Sequence, residues 1–236
     1  MTFEEIVKQL KELGQESYKK VLLKHDIKEP LYGVKIEELK KITKKIKDGH
    51  ALSLKLFDTG IYDAMYLAGL IVEPQKMSLK ELQSWAEKAN APVLRESTVA
   101  WVAAESKHGM QLAQEWITSK DEGLASTGWA TLANLVAITE DKDLDIKLLK
   151  ELMKTAAKNI HGSSNRVKSA MNGFIIAVGI YVKELSELAK KTATEIGKVK
   201  VDVGDTACKV PFAFDYIAKA ESKNSIGKKK KSARCL

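Results

Sequence analysis

The sequence predicts an all-α chain of stacked helix pairs, and three observations carry that expectation. Apolar residues recur at helical spacing in segment after segment of the 236 residues. A two-helix unit also repeats about five times: a helix rich in Leu, Ile, Trp or Ala ends at a polar break, and a second apolar helix full of small residues follows. The second helices open near Ile61, Val93, Glu122, Ser164 and Gly204, roughly 30 to 40 residues apart, the period of HEAT- or armadillo-type repeats. Finally, the one strand-like alternation, at residues 199–203, is too short to build a sheet. Units of this kind cannot bury their apolar faces alone. They are expected to stack into an α-α superhelical solenoid with an extended concave binding surface.

Three capping boxes fix helix starts: Thr2 with Glu5, Ser78 with Glu81, and Ser119 with Glu122. In each, the hydroxyl serves an orphan amide while the carboxylate reaches back. Phe3, Ile6, Val7 and Leu10 form one face of the first helix, with Gly14 as its C-cap. A second helix covers 16–25, and 27–34, with Pro30 and Gly33, is a loop. Residues 36–47 carry Ile36, Leu39, Ile42 and Ile46 on one stripe and lysines, Lys44 among them, on the others. Helices are then expected at 52–57, 62–72, 79–89, 93–105, 112–117, 124–136, 144–160, 166–182, 185–197 and 205–220. Taken alone, residues 174–178 (Phe-Ile-Ile-Ala-Val) also suit a strand.

Formal net charge is +8, and Lys228, Lys229, Lys230, Lys231 and Arg234 follow the last acid, leaving +3 on the body. Residues 1–225 are therefore expected to form a single repeat domain and 226–236 a basic, disordered tail. A lysine tail suits a polyanion, because neutralised phosphates release counterions. The alternative is a merely solvated terminus. Two cysteines, Cys208 and Cys235, make no disulfide framework and fit a reducing, cytoplasmic setting. The acidic, amphipathic start is unlike a secretory leader, and the longest apolar run, 174–182, is too short to span a bilayer.

His25, His50, His108 and His161 lack metal-ligand spacing, and no phosphate-cradling glycine loop or nucleophile elbow occurs, so neither metal nor cofactor is expected. The polar and aromatic residues of the second helices are the candidates: Asp63, Tyr66, Glu96, Thr98, Trp101, Glu105, Ser126, Thr127, Trp129, Asn165, Arg166, Lys168, Asn172, Asp205 and Lys209. Glu105 lies one turn from Trp101, so indole and carboxylate share a face. An apolar wall beside a carboxylate favours acid–base work, and ordinary helix packing looks the same. Arg166 beside Asn165 at a helix start suits phosphate oxygens. Such pairs also serve as salt bridges between repeats.

Several stretches resemble the DNA alkylation repair (AlkD-like) family: Tyr32-Gly-Val-Lys-Ile-Glu-Glu-Leu-Lys-Lys, Asp63-Ala-Met-Tyr-Leu-Ala and Thr98-Val-Ala-Trp-Val-Ala-Ala-Glu-Ser. Asn165-Arg-Val, Met171-Asn-Gly-Phe and Val201-Asp-Val-Gly-Asp-Thr-Ala-Cys-Lys-Val-Pro are similar to it too. The likeness runs from about residue 5 to the tail. It implies HEAT-like repeats with duplex DNA against the concave face. It also implies excision of cationic alkylated purines by an aspartate that stabilises charge on the sugar, with flanking tryptophans and an arginine on the backbone. In register, the tryptophan-rich stretch falls on Val93-Leu-Arg-Glu96, the aspartate on Thr98 and the arginine near Ser126. None of these matches.

The expectation is thus a monomeric, DNA-binding relative of these glycosylases, bacterial, cytoplasmic and nucleoid-associated when bound to DNA. Lys44, Asn165, Arg166, Lys168, Lys209 and the tail lysines would hold duplex DNA. Were excision retained, on alkylated DNA, Glu96 or Glu105 would be the anion, with Trp101 and Trp129 as aromatic platforms. A non-catalytic binder of DNA structures and a protein-interaction scaffold are the alternatives.

Overall fold

The computed structural model describes residues 1–202 and 210–235. Lys209, expected to touch phosphate, lies outside the described residues, as do Gly204, Asp205 and Cys208. In chain order come α1 (Phe3–Leu13), α2 (Glu16–Lys24), α3 (Ile36–Thr43), α4 (His50–Asp58), α5 (Tyr62–Ile71), α6 (Leu79–Lys88), a π-helical turn (Leu94–Val99) and α7 (Ala100–Glu105). Then follow α8 (Gly109–Trp116), α9 (Glu122–Ile138), α10 (Ile146–Asn159), α11 (Asn165–Tyr181), α12 (Ser186–Ile196) and α13 (Ala213–Ser222). No strand occurs among the described residues; the run at 174–178 is interior helix.

The chain divides into two compact units, residues 1–108 with the last residues from Arg234, and residues 109–233. In the first unit α5 is buried on every side, from Tyr62 through Leu70, and α4 packs along it. An apolar run with no polar stripe has to be internal. The flanking α1, α3 and α6 bury one stripe each: Ile6 and Leu10, Leu39 and Ile42, and Leu82, Trp85 and Ala86. Their other faces are charged. In the second unit α9 and α11 are the internal pair, and α8, α10, α12 and α13 pack against them with amphipathic faces. Gly128 on α9 permits a close approach to backbone: a Cβ there would lie 2.7 Å from the Ile117 amide nitrogen and 3.0 Å from the Ala113 carbonyl oxygen.

Local chemistry sets the boundaries. The boxes at Thr2 and Ser78 form in full. At the third, the cap is Asp121, whose carboxylate accepts from the Leu124 amide at 2.8 Å, while Ser119 Oγ accepts from the Asp121 amide at 3.0 Å. A carboxylate at the N-cap also complements the helix dipole, which explains why it displaces the serine. The expected helix over 93–105 contains a six-residue π-helical turn before α7. Such turns often mark functional positions.

Asp63 looks from sequence like a groove residue, yet it is fully buried. Its two carboxylate oxygens accept from the Tyr32 amide at 2.6 Å and the Val34 amide at 2.7 Å. It therefore pins the 31–34 loop to the start of α5.

The expected disordered tail is corrected by its contacts. In the second unit the Lys229 ammonium donates to the Val136 carbonyl at 2.9 Å and lies 2.8 Å from Asp141 Oδ1, with 9% of its side chain exposed. The Lys230 amide donates to the Ala137 carbonyl at 2.8 Å, and its ammonium sits 5.5 Å from the centre of the Tyr181 ring. Val136 and Ala137 are in the last turn of α9, where carbonyls lack helical partners and the dipole favours cations. Part of the lysine run thus acts as a C-cap rather than as a free phosphate handle. Lys228 and Lys231 stay exposed.

Candidate nucleic-acid interface

In the second unit a cleft of about 470 Å³ opens at the N-termini of α9 and α11. Ser119, Lys120 and Glu122 line one wall, and Lys158, Ser163 and Ser164 the other. Ser164 is the N-cap of α11, but its hydroxyl makes no capping bond, and its Oγ is buried without a hydrogen-bond partner. First-turn amides of a helix point outward and carry partial positive charge, so an oxyanion is the group they suit. Lys120 and Lys158 add formal charge to that cleft. Asn165 and Arg166 are exposed on the same first turn, and Lys168 is half-buried. The Asn165 side-chain oxygen accepts from the Asp202 amide at 3.3 Å. Asn165, Arg166 and Lys168 are legible in the sequence as candidates, whereas Lys120 and Lys158 are not. Those two precede α9 and end α10, and their convergence depends on how the helices pack.

The proposed catalytic residues fare differently. Trp129 is 1% exposed and tilts against Phe174, ring centres 5.3 Å apart. A ring so covered cannot stack on a base, so its role as a platform is corrected to that of a core residue. Its indole N–H finds no hydrogen-bond partner. In the first unit Trp101 is half-buried and meets Tyr66 edge-on at 5.8 Å. Glu96 is half-buried on the π-helical turn.

Glu105 ends α7, and its carboxylate accepts from Arg234, Nε to Oε2 at 2.9 Å. Gln75 holds the Glu105 carbonyl through its side-chain amide. Thr98 and Ser126, where the resemblance puts the aspartate and the arginine, are buried. Thr98 Oγ1 has no hydrogen-bond partner, and Ser126 Oγ donates to the Gly123 carbonyl at 3.0 Å within its own helix. Lys44 is exposed at the end of α3.

Tyr66 is pushed up to about 12, chiefly by burial, with the nearby Cys235 thiol contributing when ionised. Its neutral form is the one the fold favours. Its contribution to stability is complete below about pH 10 and falls away as the pH climbs through about 12. A near-ultraviolet titration of tyrosinate should therefore show Tyr66 ionising after exposed tyrosines. Cys235→Ser should bring it slightly earlier.

A family profile described as DNA alkylation repair enzyme matches residues 3–193. The chain belongs to the DNA alkylation repair family. Two relatives in that company are uncharacterized proteins of Listeria monocytogenes and Listeria innocua. Each is 31% identical over 229 residues, covering 94% of this chain and 99% of the relative. A solved structure described as from a new family of proteins related to the HEAT-like repeat DNA glycosylases, with affinity for branched DNA structures, matches at a TM-score of 0.92. It is 34% identical, with all of both chains covered. The all-helical, HEAT-like architecture of this DNA alkylation repair family member is thereby shown. Among the described residues no group of His, Cys, Asp and Glu is placed to hold a metal, and no helix is long and apolar enough to cross a membrane.

Proposed function

We propose that this chain binds DNA through the sugar-phosphate backbone, favours branched over simple duplex DNA, and does not excise bases. The single observation that carries the reading is the match to the structure with affinity for branched DNA, which extends over the whole of both chains. The cleft at the start of α11 supports it, with Lys120, Lys158 and the uncapped first turn as receivers of a backbone phosphate. Three departures argue against excision. Thr98 is no anion, Trp129 is buried, and Glu105 already neutralises a guanidinium. A carboxylate stabilises an oxocarbenium-like sugar through charge aimed at it, and a paired guanidinium offsets that charge.

The test is a titration of a four-way junction and a linear duplex of the same base composition, at several salt concentrations, beside a base-release assay on methylated duplex. Tighter junction binding is expected, with affinity falling about 10³-fold or more between about 50 and 200 mM salt if at least six phosphates are engaged. Equal weak binding to both, insensitive to salt, would refute the DNA reading. Excision remains a second reading because Glu96 lies on the π-helical turn in a family named for repair. Release of methylated purine that disappears in Glu96→Gln would establish it.

A further inference from the structure

We infer that the first unit contains a guanidinium socket, built from the Glu105 carboxylate and the carbonyls of Leu70 and Val72, in which Arg234 is a displaceable intramolecular ligand. The inference goes beyond DNA binding and does not rest on it. Arg234 Nε donates to Glu105 Oε2 at 2.9 Å, and its Nη1 donates to the Leu70 carbonyl at 3.2 Å and the Val72 carbonyl at 3.0 Å. Its backbone amide reaches Glu105 Oε1 at 3.4 Å. Both side chains are 15% exposed.

The acceptors explain the choice of cation. Leu70 lies in the last turn of α5 and Val72 is its C-cap, so their carbonyls are at the negative end of the helix dipole. Glu105 supplies the formal charge, and Gln75, on the 3₁₀ turn Pro74–Lys76, holds the Glu105 carbonyl and so steadies that wall. Three acceptors in different directions suit a planar fork with several N–H groups, whereas an ammonium is a point charge with no such fixed geometry. In the same unit Trp101, one helical turn before Glu105 on α7, meets Tyr66 edge-on with ring centres 5.8 Å apart.

The occupant sits on a segment without regular structure: residues 231–235 form neither helix nor strand, and Lys231 and Cys235 are exposed while Ala233 is buried. Emptying the socket would take the Arg234 guanidinium from Glu105, one helical turn from Trp101 on α7, so Arg234 works as a latch on that carboxylate. Any guanidinium able to reach the socket competes with it.

The experiment uses residues 1–236 and methylguanidinium as probe, followed by amide NMR shifts at Leu70, Val72 and Glu105, with a melting curve as control for folding. Arg234→Gln should bind the probe with saturable shifts confined to those residues. Wild type, its socket filled, should respond at least about tenfold more weakly, and Arg234→Gln combined with Glu105→Gln should lose the response. If Arg234→Gln does not fold, Arg234→Lys replaces it. Lysine surrenders the fork, so the probe should compete it out at lower concentration than in wild type. No local response in the folded variant, or equal responses in wild type and all variants, overturns the socket. Because no DNA is present, the outcome stands apart from the DNA reading.

Discussion

Asp63→Ala is expected to lower the unfolding free energy by about 2–5 kcal/mol, since the Tyr32 and Val34 amides would both lose their acceptor. That is a large part of the stability of a typical domain. The carboxylate has no exposed surface, so water cannot replace it without opening the loop. Urea denaturation checks this: the midpoint should fall while the slope stays constant. Asp63→Asn, which keeps one acceptor oxygen but turns a donor toward the second amide, should fall between alanine and wild type. An alanine variant as stable as the parent would mean that the loop is held by something else.

Replacing Lys158 and Arg166 together by alanine should weaken junction binding about 10- to 100-fold, equally for all sequences, and flatten the salt slope by about 2. Both residues sit by the cleft at the start of α11, Lys158 in its wall and Arg166 on the exposed first turn, where backbone phosphate is proposed to dock. Lys44→Ala in the first unit is the comparison, because its contribution should be one charge and no more. Loss of binding to one sequence alone would point to base contact instead. An unchanged slope would remove the cleft from the interface.

The helix pairs were readable because their signals are local. The second helices open at Ile61, Val93, Asp121 and Ser164 as N-caps, against sequence positions 61, 93, 122 and 164. Capping chemistry and apolar spacing act over three or four residues, which is the range a single sequence exposes.

The π-helical turn was not readable, since an extra backbone residue leaves an apolar pattern close to that of an α-helix. Spacing alone offers Trp129 as a platform, while Ala125, Gly128 and Leu132 beside it mark the face of an internal helix. The docking of the tail is illegible in the sequence for a different reason. Its acceptors lie 93 residues away for Lys229 and 129 or more for Arg234, and nothing local records such pairing.

The burial of Trp85, Trp116 and Trp129, with Trp101 alone of the four indoles half-covered, has a bearing on any optical assay. Intrinsic emission from the folded protein reports mainly on interior rings, and those lying in residues 109–233 are both shielded. Nucleic acid docking at the α11 end of that unit would leave the spectrum almost unchanged. A flat fluorescence trace would therefore be no sign of failed association, and a labelled oligonucleotide is the better reporter.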